Sequence, residues 1–233
     1  MPAINPQNKS QKGELNMSLS DRRIILVRHG QTLWNKQYRF QGRTNIQLTE
    51  AGKKQAGDLA VRLSSWPPDV IFTSPLDRAV FTAGTIASQF NMSPVIIPEL
   101  EEINFGSWEG KSFDYLRAEH YEQYSRWLED PFFNPPQDAE TWPQIEARLT
   151  VAANILMTCP QKRIIAVTHG GVIRAMWSVI LGRDPHEAWF SDIPNCSMTG
   201  IAVREGRIYL SFANDNLHAA PGGTAMPVWR DEI

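Results

Sequence analysis

Short apolar runs alternate with longer amphipathic runs along most of this 233-residue chain. Ile24-Ile25-Leu26-Val27 has the length and composition of a buried strand, whereas Ala56, Leu59 and Leu63 recur at helical spacing after a capping Thr49. This alternation predicts an α/β fold: a three-layer sandwich with a mostly parallel central sheet and helices on both faces. The predicted strands are 23–27, 70–72, 95–97 and 164–167, with an antiparallel pair at 197–203 and 207–212. The predicted helices are 50–63, one from Pro75 to about 89, 142–157 and 171–181.

Composition and charge exclude several classes of partner. Hydrophobic residues make up 42% of the chain, enough for a substantial core in a domain of this size. The net charge of −2 gives no global basic field for nucleic acid or an anionic membrane. No run approaches the roughly 20 apolar residues of a membrane span. Cys159 and Cys196 form no CxxC pair, so we expect two free, buried or half-buried thiols.

The chain divides into three predicted segments, the second of which carries an insertion. Residues 1–20 are polar and lack the apolar stretch of a secretory signal, which favours a disordered extension and a cytoplasmic location. Residues 21–218 form the folded domain. Within it, 111–140 interrupts the alternation with aromatic and proline residues, and we expect a helical lid inserted over one face. We expect the aromatic residues of this lid to pack in the core and not to line the substrate site. Residues 219–233 are expected to be a loosely held tail.

Chemically active side chains follow each of the four predicted parallel strands. The first strand is followed by Arg28-His29-Gly30, and the fourth by Thr168-His169-Gly170. The second leads to Ser74 and Arg78, and the third leads to Glu102. Since the carboxyl ends of parallel strands share one edge of a sheet, these residues are expected to converge there. Two arginines, two histidines and a glutamate suit phosphoryl transfer, which needs cations, a nucleophile and an acid for the leaving oxygen.

The second of these strand ends also has the composition of a helix start. Ser74 would be the N-cap and Pro75 would lie in the first turn. The helix would then direct Arg78 back toward the pocket.

Leu26-Val27-Arg28-His29-Gly30-Gln31-Thr32 resembles the signature of the histidine phosphatase superfamily, which includes the cofactor-dependent phosphoglycerate mutases. The other strand-end pieces follow in the family's order, so the resemblance covers roughly residues 23–218. It implies that His29 attacks phosphorus and is phosphorylated during turnover. Only a neutral imidazole has the lone pair for this attack, so the other ring nitrogen is expected to donate to a backbone carbonyl.

The same resemblance implies roles for the other members of the set. Arg28, Arg78 and a protonated His169 would hold the equatorial phosphate oxygens, since a guanidinium can donate two hydrogen bonds at once. Glu102 would protonate the leaving alkoxide and then activate the water that clears phosphohistidine. The family pattern of Leu-x-Glu followed by apolar, polar, aromatic and glycine residues selects Glu102 over Glu101. The resemblance implies no metal and no cofactor.

Four further positions resemble ligand contacts of the family. Asn35 and the backbone N–H of Gly170 are expected to bind phosphate, and Gln41 and Gly42 are expected on the substrate side. The family's Pro-Gly-Gly-Glu-Ser block stands here as Pro136-Gln137-Asp138-Ala139-Glu140-Thr141, which has lost both glycines and keeps the glutamate.

Departures from the mutase pattern favour a phosphatase. The mutases usually carry an arginine after the catalytic glutamate, a lysine further on, and an arginine pair in the inserted segment. Ile103 stands at the first of these positions and Phe113 near the second, while Arg117 and Arg126 are isolated in the insert. Residues 105–110 resemble the phosphatase branch, which includes broad-specificity enzymes and α-ribazole phosphatases.

Three hypotheses about function follow. The first is a metal-independent phosphomonoesterase that acts through phosphohistidine on a small phosphorylated metabolite. The second is a phosphoglycerate mutase-like phosphotransferase, and the third is a weakly active module that binds a phosphorylated ligand. The sequence leaves the natural substrate open, and it leaves the choice between a monomer and a homodimer open as well.

Overall fold

The computed structural model describes residues 19–219. The predicted N-terminal extension and tail therefore lie outside the described residues, except for residues 19, 20 and 219. Six strands alternate with eight helices in this part of the chain. The strands are β1 Arg22–Arg28, β2 Val70–Thr73, β3 Val95–Ile96, β4 Arg163–Thr168, β5 Met198–Arg204 and β6 Arg207–Asp215. The helices are α1 Leu33–Lys36, α2 Glu50–Leu63, α3 Asp77–Ser88, α4 Phe113–Glu119, α5 Tyr121–Glu129, α6 Trp142–Thr158, α7 Gly170–Leu181 and α8 Pro185–Trp189.

The strands form one sheet in the order β3-β2-β4-β1-β5-β6. The first four strands along the chain run parallel to one another, and β5 and β6 add an antiparallel pair beside β1. β1 therefore lies between β4 and β5, with Arg28 in register with Thr168 at its carboxyl end. The prediction of a mostly parallel α/β sheet is confirmed, and each predicted strand is present to within a few residues.

Alternate residues of β1 pack into different cores, which makes the domain a three-layer sandwich. Ile25 and Val27 are buried against the apolar faces of α2 and α3. Ile24 and Leu26 are buried in the larger core that contains the inner faces of α6 and α7. A central strand covered on both faces has no polar side, which explains the continuous apolar run in the sequence.

The inserted segment packs into the larger core through its aromatic side chains. Trp127 of α5 lies in the middle, with its ring centroid 5.1 Å from Phe40, 5.7 Å from Trp108 and 5.5 Å from Trp189. Tyr124, Trp127 and Phe132 are buried, so the prediction of core packing is confirmed for these three residues. Tyr115, Tyr121 and Phe133 are exposed instead.

Two short helices are not predicted by the sequence pattern. α1 has only four residues and is capped by Thr32, whose side chain accepts a hydrogen bond from the Asn35 N–H. α8 has five residues after the N-cap Asp184. Apolar periodicity cannot be recognised over a single turn, so only the capping residues could have indicated these helices.

Two expectations about the chain as a whole can also be compared with the structure. Cys159 is half-buried and Cys196 is buried, and both are free thiols as predicted. Among residues 19–219, no helix combines the length and apolar character that crossing a bilayer requires. The cytoplasmic location stays a prediction.

Candidate active site

The ends of β1, β2 and β4 place the predicted residues at one edge of the sheet. The His29 N–H donates to Thr168 O at 3.0 Å, which continues the β1–β4 ladder by one residue. The ring centroids of His29 and His169 are consequently only 5.1 Å apart. Arg28, His29, Arg78, Glu102 and His169 are all buried, although such residues are seldom buried without a functional or structural reason.

The imidazole of His29 is held in one tautomer. Its Nδ1 lies 2.7 Å from Gly30 O, and a carbonyl can only accept, so Nδ1 carries the proton. This is the backbone partner expected from the sequence. Burial lowers the pKa of His29 well below 6.5, and the charges of Arg78 and Arg28 lower that pKa further. The ring is therefore neutral near pH 7, with a lone pair on Nε2.

Arg78 reaches the nucleophilic nitrogen from the first turn of α3. Its Nε donates to His29 Nε2 at 3.2 Å, and its Nη1 and Nη2 donate to Thr44 O at 2.9 Å and Gly42 O at 2.6 Å. Burial lowers the pKa of Arg78 to about 10, so it remains a cation at neutral pH. The loop of residues 41–45 thus fixes the guanidinium beside the imidazole.

Gln41 and Gly42 contribute to that loop in different ways. With its amide oxygen toward Arg78, Gln41 accepts from Nε at 2.7 Å and Nη1 at 2.8 Å, and its nitrogen donates to Thr32 Oγ1. Gly42 has φ of +54°, and a Cβ at this position would overlap the Glu109 carboxylate. Glu109 in turn accepts from the backbone N–H groups of Arg43 and Thr44, both at 3.0 Å.

His169 forms the opposite wall of the site. Its Nε2 lies 2.7 Å from Ser74 Oγ. Burial lowers the pKa of His169 well below 6.5, and Arg78 and His29 lower it further. This differs from the expected protonated His169, because the burial and the neighbouring charges favour the neutral ring. A phosphate dianion next to the ring would add the negative charge that protonation requires.

The structure corrects the prediction that Ser74 caps α3. The helix begins at Asp77, and its N-cap is Leu76, which makes no side-chain capping bond. Ser74 lies two residues earlier, where its N–H extends the sheet by donating to Val167 O at 2.9 Å. Its hydroxyl lies against His169 and also accepts from the N–H of Leu76 at 3.3 Å, one residue before the helix begins.

Two buried nitrogens at this edge have no hydrogen-bond partner among the described residues, Arg28 Nε and His169 Nδ1. Arg28 is otherwise tied to the loop before β5 by a bond from Nη1 to Ile193 O. Buried polar atoms nearly always find a partner, so an unpaired guanidinium nitrogen suits an anion that binds there. A Cβ built on Gly170 would lie 3.5 Å from Arg28 Nε, which places the start of α7 beside it.

Asn35 lies near this cluster but has structural partners. Its Oδ1 accepts from Thr32 N at 3.1 Å and from Asn195 Nδ2 at 3.2 Å. Asn195, which sequence reasoning missed, also donates to His29 O at 3.1 Å. The predicted phosphate contact of Asn35 is therefore not visible in these bonds and stays a prediction.

Glu102 lies against the first turn of α7. Its Oε1 accepts from Ile103 N at 2.9 Å and its Oε2 accepts from Gly171 N at 3.3 Å. A Cβ on Gly171 would be 2.7 Å from Glu102 Oε1 and 2.8 Å from Ile103 Cδ1. Gly171, the second glycine after His169, therefore makes room for this carboxylate.

Gly171→Ala is expected to displace the Glu102 carboxylate and to lower phosphatase activity by about 10²-fold, the cost of a misplacement of roughly 1 Å. Because both clashing atoms are ends of flexible side chains, the fold should survive, and circular dichroism would check this. Gly57→Ala is the matched control, since a Cβ there meets nothing within 4 Å. The control should keep full activity and gain about 0.5–1 kcal/mol of stability. Equal activity of the two variants would contradict the role of Gly171.

A second expectation concerns stability and pH. The pKa values of His29, His169 and His218 are all lowered in the folded protein, chiefly by burial. Below pH 6.5 the unfolded chain therefore binds protons that the folded chain does not. The free energy of unfolding should decrease as the pH falls from 7.5 to 5.5, a window above the titration of ordinary carboxyl groups. Urea denaturation would measure it, and a constant or rising value would contradict neutral histidines.

The sequence profile of the Histidine phosphatase superfamily (branch 1) matches residues 24–216. The chain belongs to this family. It is 32% identical over 197 residues to phosphoserine phosphatase 1 of Hydrogenobacter thermophilus, covering 84% of this chain and 93% of that protein. It is 33% identical over 181 residues to the probable phosphoglycerate mutase GpmB of Erwinia tasmaniensis, covering 76% and 83%.

The fold agrees with solved structures of the same family. The α-ribazole phosphatase of Shigella flexneri superimposes with a TM-score of 0.75 and 28% identity, covering 83% of this chain and 96% of that one. These similarities support the family resemblance read from the strand ends.

Proposed function

We propose that this histidine phosphatase family member hydrolyses small phosphomonoesters through a phosphohistidine intermediate, without a metal ion. The observation that carries the proposal is His29 Nε2, a neutral nucleophile next to Arg78 and within a cluster that includes Arg28 and His169. A phosphate dianion at this cluster would find buried cations and the unpaired Arg28 Nε. Gly170 N–H and the side chains of Asn35 and Gln41 are further proposed contacts, with Gly42 on the substrate side.

The first chemical step transfers the phosphoryl group to His29. Nε2 forms a bond to phosphorus in line with the ester oxygen, the ester P–O bond breaks, and Glu102 gives the leaving alkoxide a proton. In the structure the lone pair of His29 Nε2 accepts a hydrogen bond from Arg78 Nε at 3.2 Å. Attack therefore requires Arg78 to exchange this bond for one to the phosphate, which couples anion binding to release of the nucleophile.

The second step regenerates the enzyme. Water attacks the phosphohistidine, Glu102 takes its proton, the N–P bond breaks and inorganic phosphate leaves. His29 then recovers the tautomer that its bond to Gly30 O favours.

The insert favours hydrolysis over transfer between phosphoglycerates. Arg117 and Arg126 are exposed on α4 and α5, and Ile103 beside Glu102 is buried and apolar. These positions offer no pair of cations for a second phosphate. Relatives include proteins named as phosphatases and as mutases, so the mutase-like transferase remains the second candidate. We propose residues 111–140 as a lid whose aromatic interior is part of the domain core.

The proposal is tested by measuring phosphate release from a panel of monoesters without added metal. The panel includes p-nitrophenyl phosphate, phosphoserine, 3-phosphoglycerate, sugar phosphates and α-ribazole phosphate. Metal-independent turnover is the expected result, and the preferred ester identifies the substrate class. Formation of 2-phosphoglycerate from 3-phosphoglycerate after priming with the bisphosphate would establish the mutase. Binding without either reaction would favour the third hypothesis, a binding module.

A further inference from the structure

The backbone segment that carries Glu102 is held by side chains instead of by a strand. β3 ends at Ile96, and the next residues pass through a single 3-10 turn, Pro98–Leu100. Four successive backbone carbonyls then each accept a hydrogen bond from a side chain. In chain order these are Glu99 O from Arg148, Leu100 O from Thr168, Glu101 O from Arg148 and Glu102 O from Arg43.

Arg148 provides two of these four bonds from the second turn of α6. Its Nη1 lies 2.6 Å from Glu99 O and 2.7 Å from Glu101 O, which are the carbonyls on either side of Leu100. The rest of the guanidinium forms a two-pronged pair with Glu140, with Nε to Oε1 and Nη2 to Oε2 both at 2.8 Å. The pair is largely shielded from water, with side chains only 15% and 9% exposed. A planar fork held at both prongs has one orientation, so Nη1 is aimed with little freedom.

Glu140 also connects this pair to the two neighbouring loops. Its backbone N–H donates to Asn104 O at 2.9 Å, which ties the end of the insert to the residues after Glu102. Its Oε1 is 3.3 Å from Arg43 Nη2. Arg43 Nε donates to Glu102 O at 3.2 Å, and the same nitrogen forms an ion pair with Glu101 Oε2 at 3.1 Å. Two cations and two carboxylates thus form one connected network around the Glu102 backbone.

We propose that the Glu140–Arg148 pair positions Glu102 for proton transfer to the leaving group. Both members are positioning residues, since neither side chain contacts the cluster around His29. The inference rests on the proposed function only in giving Glu102 its role as the acid. The proposal gives a role to Glu140, the glutamate that is retained in the altered block of residues 136–141. Without the pair, the carbonyls of Glu99 and Glu101 would lose their donors, and the carboxylate of Glu102 would lose its fixed distance to Gly171 N.

A purely structural role predicts a different kinetic pattern. If the pair only stabilised the fold, its loss would reduce the amount of active enzyme. The measured activity would then fall by the same factor for every ester. If the pair positions the acid, the loss of activity depends on which alcohol leaves. An alkyl alkoxide needs a proton to leave, whereas p-nitrophenolate is stable enough to leave without one. kcat/KM is the appropriate parameter, because it reports steps up to departure of the alcohol and excludes hydrolysis of phosphohistidine.

The test compares Arg148→Met, Arg148→Lys and Glu140→Gln on phosphoserine, an alkyl ester, and on p-nitrophenyl phosphate. We expect Arg148→Met to lower the ratio of the two kcat/KM values, alkyl to aryl, by about 10- to 100-fold, with partial recovery in Arg148→Lys. Arg163→Met is the matched control. It removes another arginine–carboxylate pair, 3.2 Å from Asp69, at the amino end of β4. The control should leave the ratio unchanged.

An unchanged ratio in Arg148→Met and Glu140→Gln, whatever the absolute rates, would overturn the positioning role. A second readout does not depend on turnover: in a crystal structure of Arg148→Met, we expect the Glu102 carboxylate to have left Gly171 N. A carboxylate still within hydrogen-bond distance of Gly171 N would also overturn the proposal. If the wild-type protein releases no phosphate from any ester, the proposed phosphatase fails, and the crystal structure alone decides the question of position.

Discussion

His29→Ala is expected to lower kcat/KM for every phosphomonoester by at least about 10⁴-fold, the size of loss seen when a covalent nucleophile is removed. In the proposed mechanism the imidazole accepts the phosphoryl group, and alanine leaves no atom that could accept it. The arginines and His169 would still bind phosphate, so inorganic phosphate should protect the variant against thermal unfolding as it protects the wild type. The loss is thus expected in the chemical step, with binding retained.

Rapid quenching would observe the intermediate directly. The wild-type protein mixed with labelled substrate should trap label that is lost in acid and retained in base, as expected of an N–P bond, and peptide mapping should place it on His29. His186→Ala is the control, because His186 lies on the surface near Asp130, away from the sheet edge. Comparable activity in His29→Ala, or label on another residue, would refute the mechanism.

Glu102→Gln is expected to produce the second-largest loss, roughly 10²- to 10⁴-fold in kcat/KM for alkyl esters. Glutamine has nearly the same shape and can still accept from one of the two N–H groups, Ile103 N or Gly171 N, through its single amide oxygen, while the transferable proton is removed. The loss for p-nitrophenyl phosphate should be much smaller, because that leaving group departs without protonation.

Glu101→Gln is the natural control for this substitution. Glu101 is the neighbouring carboxylate, but its side chain pairs with Arg43 at 3.1 Å and lies outside the histidine cluster. Its replacement should change activity only modestly, through the network around the Glu102 backbone. An equal or larger loss in Glu101→Gln would transfer the acid role to that residue and overturn the assignment.

The part of the site that sequence predicted best depends on a simple geometric rule. Parallel strands end at a common edge, so apolar runs that stop at Arg28 and at Thr168 place their next residues together without any knowledge of the loops. The tautomer of His29 could be anticipated for a chemical reason, since a nucleophilic imidazole needs a fixed donor on its other nitrogen. These inferences use only local composition and strand direction.

Features that depend on long-range loop geometry could not be predicted from the sequence. Ser74 has the composition of a helix cap, and only the register of β2 with β4 shows that its hydroxyl meets His169. Arg148 lies in a helix where an arginine is ordinarily solvated, and its carbonyl partners are nearly 50 residues away in the chain. The lowered pKa of His169 could not be predicted from the sequence either, because the extent of burial and the proximity of Arg78 become known only in three dimensions.

The position of His29 and His169 has a consequence for how this kind of protein can diversify. His29 and His169 follow the two strands at the middle of the sheet, whereas α4 and α5 lie in an excursion between β3 and α6. Substitutions at the exposed positions of that excursion leave both the buried aromatic core and the strand-end cluster unchanged. Glu140 is the exception. It lies where the excursion rejoins the domain, and we expect a substitution there to displace Glu102 through Arg148. Sequence change is therefore expected to be tolerated mainly at the exposed positions between Phe113 and Asp138, and Glu140 is expected to be spared.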